Sequence, residues 1–455
     1  MFFTRRWVLR RFEDVLVELA DEGHEIVVGG PNGDSRTLPK RLRNAGVRRE
    51  AYDEAVTPER GYAVALLRHA RDYLWYLQPD QQVGSFTRRR ALNWLVDSAT
   101  KGTRGADPSW PDPIVELPEA DRLALDKHLA ALEARIPADP GVLDLVRRVN
   151  PDVVLVAPLV TQRYRQTEVV KAAHELGIPC GFLVYSWDNL SNKGRIHVPP
   201  DRVYVWNDLQ RWEAETLHGI DPATIVRTGA PHWDEFFAMT PSLTREELFA
   251  QHGFDPAKPL VLYLGSTNDV VPEETAVVGR WLAAVRARID ANILIRRHPG
   301  EPTRWEGWAP QGERVSLSAE PHIAGNDLYD ELTHADAAVG LNTSAQIEAS
   351  IVGTPVYTFS AGAEAPGQQG SLHFYYLLRE RGGVVQYGET LDEHVTQLER
   401  GLAGEVDRAA IRAFAEAFVR PNGLDRPVAP QLAEEIRKLA RDGRARPEAK
   451  RRIPH

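Results

Sequence analysis

The chain contains two successive series of short apolar runs, each about as long as a buried strand. The first series lies at residues 152–157, 180–185, 202–206 and 224–227, and the second at residues 260–264, 292–295, 314–317, 337–340, 355–359 and 383–386. Helical patterns separate most of these runs, at residues 168–176, 273–289, 328–332, 345–352 and 372–381. Strand, helix and strand at this spacing are typical of a parallel sheet that is buried on both faces. The pattern therefore predicts an α/β protein with two doubly wound domains that face each other across a cleft.

The region before the first series has a different pattern. Phe12, Val15, Leu16 and Leu19 have the spacing of an amphipathic helix, and residues 25–28 follow as a short predicted strand. Residues 50–150 are predicted to be mostly helical, with helices at 62–77, 88–95 and 120–136 and a proline-rich loop at 102–118. We interpret this region as a helical insertion in the first domain.

The connecting segments suggest where the domains begin and end. Residues 237–258 are polar and contain prolines at 241 and 256, which favours a link between domains. Residues 428–440 carry one apolar face, as a final helix would, and the residues after 441 are basic. The predicted domains are residues 1–240 and 255–426, followed by a helix at 427–442 and a basic, loosely ordered tail at 443–455.

Composition and charge narrow the class of protein. Apolar residues make up 43% of the chain, charged residues 26%, and the formal charge is −9, which predicts a soluble protein that does not bind nucleic acid through a large basic surface. The single cysteine, Cys180, excludes an intrachain disulfide and suits a reducing cytoplasm. No apolar run approaches the roughly 18 residues of a membrane span. No Asp-x-Asp motif occurs, and we predict neither a metal nor another cofactor.

Polar residues follow the first two strands of the second series. In parallel sheets, ligands bind at the edge formed by the carboxyl ends of the strands. Gly265, Ser266 and Thr267 would let a phosphate approach the backbone closely, although an ordinary turn is an equal alternative. The next strand ends in two arginines and a histidine, which form a cationic corner suited to a diphosphate unless the arginines are only surface charges. These residues are Arg296, Arg297 and His298.

The most informative segment follows the strand at 337–340. Asn342 or Thr343 can cap the helix that begins there, and the first amides of that helix would point at an anion beside the Thr343 and Ser344 hydroxyls. Glu348 lies one turn further on, placed to accept hydrogen bonds from vicinal sugar hydroxyls. The alternative is a capped helix with a solvated glutamate, and we favour the ligand site.

A polar loop also follows the strand at 180–185 in the first series. Trp187, Asp188, Asn189 and Lys193 would lie at the carboxyl edge of the first sheet. Asp188 could act as a general base and Lys193 as an acceptor or phosphate contact, and an Asx-turn around Asp188 is the alternative. Arg163, beyond the strand at 152–157, would either line the cleft or be solvated.

These motifs resemble those of the GT-B glycosyltransferase superfamily. The resemblance rests on His24 in Gly-His-Glu, Thr-Gly-Ala-Pro at 228–231, Arg-x-His-Pro at 296–299 and the segment 342–355. It is best over residues 152–426 and thin over 50–150, and the start of the chain looks shortened before its first strand. Within the superfamily the chain looks closest to bacterial surface-carbohydrate transferases. UDP-GlcNAc 2-epimerases and CDP-glycerol-type polyol-phosphate transferases look like its neighbours.

The resemblance implies a GT-B-like fold with two Rossmann-like domains, the first binding the acceptor and the second the nucleotide donor. It also implies that the last helix packs back toward the first domain. Carried over to this chain, it gives Glu348 the donor ribose, Thr343 and Ser344 the pyrophosphate, and His298 a donor phosphate. Gly265 would line the donor phosphate loop together with the serine that follows it.

This chain departs from the epimerase pattern in two places. The histidine-arginine motif of the epimerases is absent from the loop that holds Ser266, Thr267 and Asn268. Thr343 and Ser344 replace the glycine pair that precedes the ribose glutamate in the epimerases. Both departures weaken an epimerase interpretation.

The predicted function is sugar transfer from a nucleotide-diphosphate donor to a surface-carbohydrate or lipid-linked acceptor, in the cytoplasm or at the inner face of the membrane. The alternatives are a polyol-phosphate transferase, a nucleotide-sugar 2-epimerase and a non-catalytic nucleotide-sugar-binding protein. Contact with the membrane through aromatic helices near Trp75 and Trp94 is a further hypothesis. The predicted catalytic residues are Asp188 and His298. The predicted donor-binding residues are Gly265, Ser266, Thr267, Arg296, Arg297, His298, Asn342, Thr343, Ser344 and Glu348, and the predicted acceptor-binding residues are Trp187, Asn189, Lys193 and Arg163.

Overall fold

Parallel strands organise both parts of the chain in the computed structural model, which describes residues 2–4, 6–32, 38–53, 58–81, 84–100, 114–161, 165–310, 312–318 and 326–444. Two compact units share the chain, Met1–Asp234 with Phe418–His455, and Glu235–Ala417. Most of the proline-rich loop predicted at 102–118 lies outside the described residues, as do Arg163 and the tail from residue 445.

The first unit is built on a seven-stranded parallel sheet. Its strands are β1 (Phe2–Thr4), β2 (Val27–Pro31), β3 (Arg48–Tyr52), β4 (Val154–Ala157), β5 (Cys180–Leu183), β6 (Arg202–Val205) and β7 (Ile225–Arg227). They lie in the order β3-β2-β1-β4-β5-β6-β7, with every neighbouring pair parallel. The order reverses between β1 and β4, which is the Rossmann arrangement.

The helices of this unit pack on the sheet or belong to the insertion between β3 and β4. They are α1 (Arg6–Leu9), α2 (Glu13–Asp21), α3 (Lys40–Asn44), α4 (Pro58–Tyr76), α5 (Ser85–Ala99), α6 (Glu119–Glu133), α7 (Pro140–Val149), α8 (Arg165–Glu175), α9 (Asn189–Asn192) and α10 (Asp208–Trp212). Alternate residues of β4 enter separate hydrophobic clusters, Val154 and Val156 in one and Leu155 and Ala157 in the other. The strand is therefore apolar throughout because both of its faces are buried.

The second unit is built on a six-stranded parallel sheet. Its strands are β8 (Leu260–Leu264), β9 (Asn292–Arg296), β10 (Val315–Leu317), β11 (Ala337–Gly340), β12 (Val356–Phe359) and β13 (Val385–Gly388). They lie in the order β10-β9-β8-β11-β12-β13, all parallel, so that the order reverses between β8 and β11. The two doubly wound sheets expected from the sequence are thus confirmed.

The helices of this part of the chain are α11 (Asp234–Ala238), α12 (Arg245–His252), α13 (Glu274–Arg286), α14 (Asp327–His334), α15 (Ala345–Val352), α16 (Pro366–Gln369), α17 (Leu391–Leu402) and α18 (Arg408–Val419). Helix α12 lies within residues 237–258, which the sequence suggested as a link. It begins with a capping box, in which the Thr244 side chain accepts from the Glu247 N–H and the Glu247 side chain accepts from the Thr244 N–H.

The last helix, α19 (Val428–Arg444), packs against α2 of the first unit. Leu432, Ile436 and Leu439 share a hydrophobic cluster with Leu16 of α2. The Asp234 carboxylate accepts hydrogen bonds from the Val428 and Ala429 N–H groups, at 2.7 and 2.8 Å, and so caps the start of α19. The return of the final helix to the first unit agrees with the expectation drawn from the resemblance.

Two expectations from the sequence are wrong. The first strand is β1, in the middle of its sheet, and not the run at 25–28; three residues followed by arginines were too short a run to recognise. Residues 372–381 form two 3₁₀ helices rather than an α-helix, because Leu378 between them is extended and bridges to Val385. Trp75 is buried and donates its indole N–H to the Leu217 carbonyl, so it is a core residue, and a membrane contact by the helices near Trp75 and Trp94 stays a prediction.

Candidate functional site

Three of the loops predicted to bind the donor are neighbours at one edge of the second sheet. They follow β8, β9 and β11, and these strands are adjacent in the order β9-β8-β11. The reversal of strand order between β8 and β11 separates the connections that leave these two strands and opens a crevice at their carboxyl ends. Ligands of doubly wound sheets bind at this place, and the unit therefore positions the predicted residues where the topology offers a site.

The two arginines at the end of β9, Arg296 and Arg297, have different surroundings. Arg296 is buried, and its guanidinium pairs with the buried Glu331 carboxylate of α14 at 2.7 Å. Arg297 is half-buried, and no described carboxylate forms an ion pair with it; its Nε is enclosed without a hydrogen-bond partner in the described residues. The cationic corner predicted from three residues is therefore reduced, because Glu331 neutralises Arg296 while Arg297 keeps its charge.

The His298 ring has a defined tautomer. Its Nδ1 accepts a hydrogen bond from the Gly300 N–H at 3.1 Å, so the neutral ring carries its proton on Nε2. Burial lowers the pKa of His298; the Glu301 charge opposes this shift and the Arg304 charge adds to it. At neutral pH the ring is thus a neutral hydrogen-bond donor through Nε2, suited to a phosphate or sugar oxygen.

The loop after β8 is tightly enclosed. The Gly265 N–H donates to the Arg296 carbonyl at 2.9 Å, which ties this loop to the end of β9. The Ser266 side chain is fully buried, and its hydroxyl has no hydrogen-bond partner among the described residues. Thr267 is half-buried and its carbonyl accepts from the Val270 N–H at 3.0 Å. An enclosed hydroxyl without a partner is costly unless a ligand or water supplies one.

The loop after β11 leads into the N-terminus of α15, where the N–H groups of Ser344 and Ala345 meet no acceptor among the described residues. Gln346 holds this loop, since its side chain accepts from the Thr343 N–H and donates to the Gly340 carbonyl, both at 3.0 Å. The buried Asn342 side chain donates to the Gly367 carbonyl at 3.0 Å. These contacts aim free amides and the positive end of the helix dipole at the crevice, where an anion would bind.

Glu348 is half-buried in the first turn of α15, as the sequence predicted. Helix α15 ends at Gly353, which has a φ of 86°, a conformation that favours glycine. The helix is therefore fixed at both ends, and the position of Glu348 relative to its free amides is set by the helix geometry.

The predicted acceptor loop lies in the first unit, after β5, and its carboxylate is not free. Asp188 accepts from the Ser186 hydroxyl at 2.6 Å and the Asn192 side chain at 3.1 Å, and it pairs with Lys193 at 2.9 Å. Burial lowers the pKa of Lys193 and the Asp188 charge raises it; the net shift is upward, which favours the charged form of Lys193. Trp187 is buried, so its ring is part of the packing of the loop and not an exposed surface for an acceptor.

Asn189 is completely buried, and neither polar atom of its side chain has a hydrogen-bond partner among the described residues. The loop is also held from α4: the Tyr76 hydroxyl accepts from the Gly194 N–H at 3.1 Å and the Asp72 carboxylate accepts from the Arg195 N–H at 3.0 Å. These two residues of the helical insertion were missed, since nothing in the sequence links α4 to residues 194 and 195. Arg163 lies outside the described residues.

Two further residues next to the donor loops were missed. Glu274, at the start of α13, accepts from the Ser266 N–H at 2.7 Å, and Arg304 donates to the Ser266 carbonyl at 2.7 Å. The side chains of Glu274 and Arg304 pair with each other at 2.8 Å. Thirty residues separate them along the chain, so no local pattern indicates the pair.

Comparisons with known proteins identify the fold. Neither a protein-family profile nor a curated protein sequence matches this chain. Solved structures do match. One, from Listeria monocytogenes, is assigned as a UDP-N-acetylglucosamine 2-epimerase; it has a TM-score of 0.54 and 14% identity, and the match covers 97% of this chain and 96% of that one. Another is a glycosyltransferase from Rickettsia africae, with a TM-score of 0.52 and 10% identity over 96% of this chain and 97% of that one. The UDP-GlcNAc 2-epimerase from Neisseria meningitidis, solved with UDP-GlcNAc bound, is similar too (0.50, 14%, 96% and 98%). The GT-B-like fold expected from the sequence is thus confirmed.

The described residues contain neither a metal-binding cluster nor a membrane-spanning helix. In the described ranges, no group of three or more His, Cys, Asp or Glu side chains is arranged to hold a metal ion. None of the helices in these ranges combines the length and apolar character that a membrane crossing needs.

Proposed function

We propose that this chain is an enzyme that binds a nucleotide-diphosphate sugar at the carboxyl edge of the second sheet and transfers the sugar to a carbohydrate or lipid-linked acceptor without a metal ion. The observation that carries the proposal is the presence of three kinds of anion-binding group in the loops after β9 and β11, the strands on either side of β8. They are the Arg297 charge without a described partner, the His298 Nε2–H and the free amides at the start of α15.

These groups would stabilise the charge that grows on the leaving diphosphate. Arg297 supplies a full positive charge, and the Ser344 amide and the His298 ring supply neutral donors that are already oriented. The enclosed Ser266 hydroxyl would gain the partner that it lacks. Glu348, one turn into α15, would accept hydrogen bonds from the ribose hydroxyls.

On the acceptor side, Asp188 is our candidate for the general base. Displacement with inversion requires the acceptor oxygen to bond to the anomeric carbon while the bond from that carbon to the diphosphate oxygen breaks; the acceptor proton passes to a base. Asp188 lies 2.9 Å from the Lys193 ammonium, a neighbour that favours the carboxylate form that a base needs. Trp187, Asn189 and Arg163 stay predictions as acceptor contacts.

A nucleotide-sugar 2-epimerase is the second candidate. Of the three similar structures described above, one is a UDP-GlcNAc 2-epimerase (TM-score 0.50) and another is assigned as one (TM-score 0.54). The two activities differ in one simple respect: an epimerase interconverts free nucleotide sugars with no acceptor, whereas a transferase releases the nucleoside diphosphate when an acceptor is present.

The first experiment is thermal unfolding with UDP, GDP, CDP, ADP and dTDP, each with and without EDTA. A ligand at 100 times its dissociation constant adds about 2.7 kcal/mol of stability, which gives an easily measured shift. We expect one nucleotide to stabilise the wild type with EDTA present, and Arg297→Ala and Glu348→Ala to reduce the shift. Arg280→Ala is the matched control, because this arginine is half-exposed and pairs with Glu364 on the surface.

The outcomes separate the candidates. No shift with any nucleotide would overturn the donor site, and a shift that EDTA abolishes would overturn its independence of metal. Once the nucleotide is known, its sugars are tested by NMR for epimerisation without acceptor. Conversion of a free nucleotide sugar would replace the transferase proposal with the epimerase.

A further inference from the structure

A buried ion pair lies directly behind the loop that follows β8. Glu274 is fully buried and the Arg304 side chain is 7% exposed. Burying two charges is costly, and a well-packed apolar pair would often be as stable. Stability alone therefore does not explain the pair, and its role lies in the groups that it holds in place.

Its hydrogen bonds converge on Ser266. The Ser266 N–H donates to Oε1 of Glu274 at 2.7 Å, and the Ser266 carbonyl accepts from Nη1 of Arg304 at 2.7 Å. The same Nη1 pairs with Oε2 of Glu274 at 2.8 Å, and Nη2 of Arg304 donates to the Asn268 side chain. Both backbone polar groups of one loop residue are thus fixed by one ion pair.

The rest of this environment leaves little freedom. Tyr263 of β8 donates its hydroxyl to Oε1 of Glu274 at 3.3 Å, so the carboxylate is anchored to the sheet itself. Asn268 is also held by Glu301, which accepts from its N–H at 3.1 Å and from its side chain at 2.8 Å. The loop is consequently tied to β8 at one end and to the 3₁₀ turn at Pro302–Trp305 at the other.

We propose that Glu274 and Arg304 are positioning residues for the nucleotide diphosphate: they hold the backbone of Ser266 so that its enclosed hydroxyl and neighbouring groups are oriented before the ligand arrives. The inference rests on the proposed function, since it concerns the same crevice. Neither residue needs to contact the ligand, because both act through the Ser266 backbone. Pre-arranged donors avoid the cost of ordering the loop during binding.

The test measures a dissociation constant by calorimetric titration, with UDP as the probe, or with GDP, CDP, ADP or dTDP if the unfolding experiment selects one of these instead. Arg304→Ala should weaken binding by about tenfold or more, by analogy with the loss of roughly tenfold or more when the partners that orient metal ligands are removed, and Arg304→Lys should recover part of it. Arg420→Ala is the control. It removes another buried arginine, which pairs with Asp234 at 2.6 Å in the first unit, and should leave the UDP affinity unchanged.

Two further readouts separate positioning from general damage. Burial raises the pKa of Glu274 to about 7, while the Ser266 N–H, Arg304 and the Tyr263 hydroxyl lower it. Between pH 6 and 8 Glu274 loses its proton, and its negative charge then attracts Arg304. UDP affinity should therefore rise more steeply with pH in the wild type than in Glu274→Gln. The ionisation of UDP is common to both proteins and cancels. In the ligand-free protein, the Ser266 amide should exchange its hydrogen at least about tenfold faster in Glu274→Ala.

The possible results are distinct. If the wild type binds UDP and Arg297→Ala weakens it, but Arg304→Ala and Glu274→Gln bind within twofold of the wild type, the positioning role is wrong while the proposed function stands. If the wild type binds no nucleotide, the proposed function fails, and the positioning role fails with it. If Arg304→Ala does not fold, Glu274→Gln and the exchange of the Ser266 amide decide in its place.

Discussion

Gly265 is the residue at which a single methyl group should disturb the candidate site most directly. A Cβ at this position would lie 2.8 Å from the Arg296 carbonyl oxygen, 2.9 Å from the His298 nitrogen and 3.3 Å from the Arg297 carbonyl carbon. All three are backbone atoms, and the Gly265 N–H is bonded to the same carbonyl at 2.9 Å. In Gly265→Ala, the loop after β8 must therefore move away from the turn after β9.

The size of the effect follows from these distances. The closest contact is roughly 0.6 Å shorter than the 3.4 Å at which ordinary contact begins, and a backbone atom cannot rotate aside as a side chain can. Overpacking of this kind costs about 1–3 kcal/mol. In a unit of this size, each kcal/mol lowers the unfolding temperature by about 2–4 °C. Because the shift separates Ser266 from Arg297 and His298, UDP affinity should fall as well.

The matched control is Gly279→Ala in the same unit. Gly279 lies inside α13, and a Cβ there meets nothing within 4 Å. The same substitution should therefore stabilise the protein by about 0.5–1 kcal/mol, because alanine favours a helix interior over glycine. Scanning calorimetry measures both variants, and a UDP titration follows. If Gly265→Ala unfolds at the wild-type temperature and binds UDP normally, the two loops are not in the close approach described here.

Two other predictions concern buried polar groups. The pKa of Glu274 is raised to about 7 from an ordinary 4.5, so the folded protein holds a proton that the unfolded chain has lost; the free energy of unfolding should fall by about 3 kcal/mol as pH rises from 4.5 to 7. Urea unfolding at several pH values should show this decline in the wild type and its loss in Glu274→Gln, and equal slopes would contradict the assignment. The Tyr357 hydroxyl is buried without a described partner, whereas that of Tyr263 donates to Glu274. Tyr357→Phe should stabilise the protein and Tyr263→Phe destabilise it, each by about 1 kcal/mol, and the same sign for both would refute this reasoning.

The second sheet could be predicted from the sequence because its strands are buried on both faces. Each strand is then a continuous apolar run, and the runs at 260–264 and 337–340 coincide with β8 and β11. Helix α15 was also predicted at its observed bounds, Ala345–Val352, since Gly353 marks its end. Local signals of this kind survive tertiary folding because burial and helix termination act on the same residues that display them.

Which of the two arginines, Arg296 or Arg297, is paired with a carboxylate could not be predicted in the same way. Consecutive arginines at a strand end project to opposite sides, so Arg296 and Arg297 were bound to have different surroundings. Which of the two would be neutralised depends on Glu331, which is on α14 and 35 residues further along the chain. The sequence shows the charges but not their partners, and the same limit hid Glu274 and Arg304.

The distinction between paired and unpaired charges decides how the candidate site can recognise an anion. A buried arginine that already has a carboxylate adds little net attraction, because most of its field is cancelled by its partner. Arg296 and Arg304 are in this position, with Glu331 and Glu274, and what they determine is the shape of two adjoining loops. Arg297 therefore supplies most of the attraction for an anion, and neutral donors such as the His298 ring orient the anion. A site of this composition distinguishes ligands by where their oxygens lie more than by their total charge, which is what the proposed binding of one diphosphate ester among many cellular anions would require.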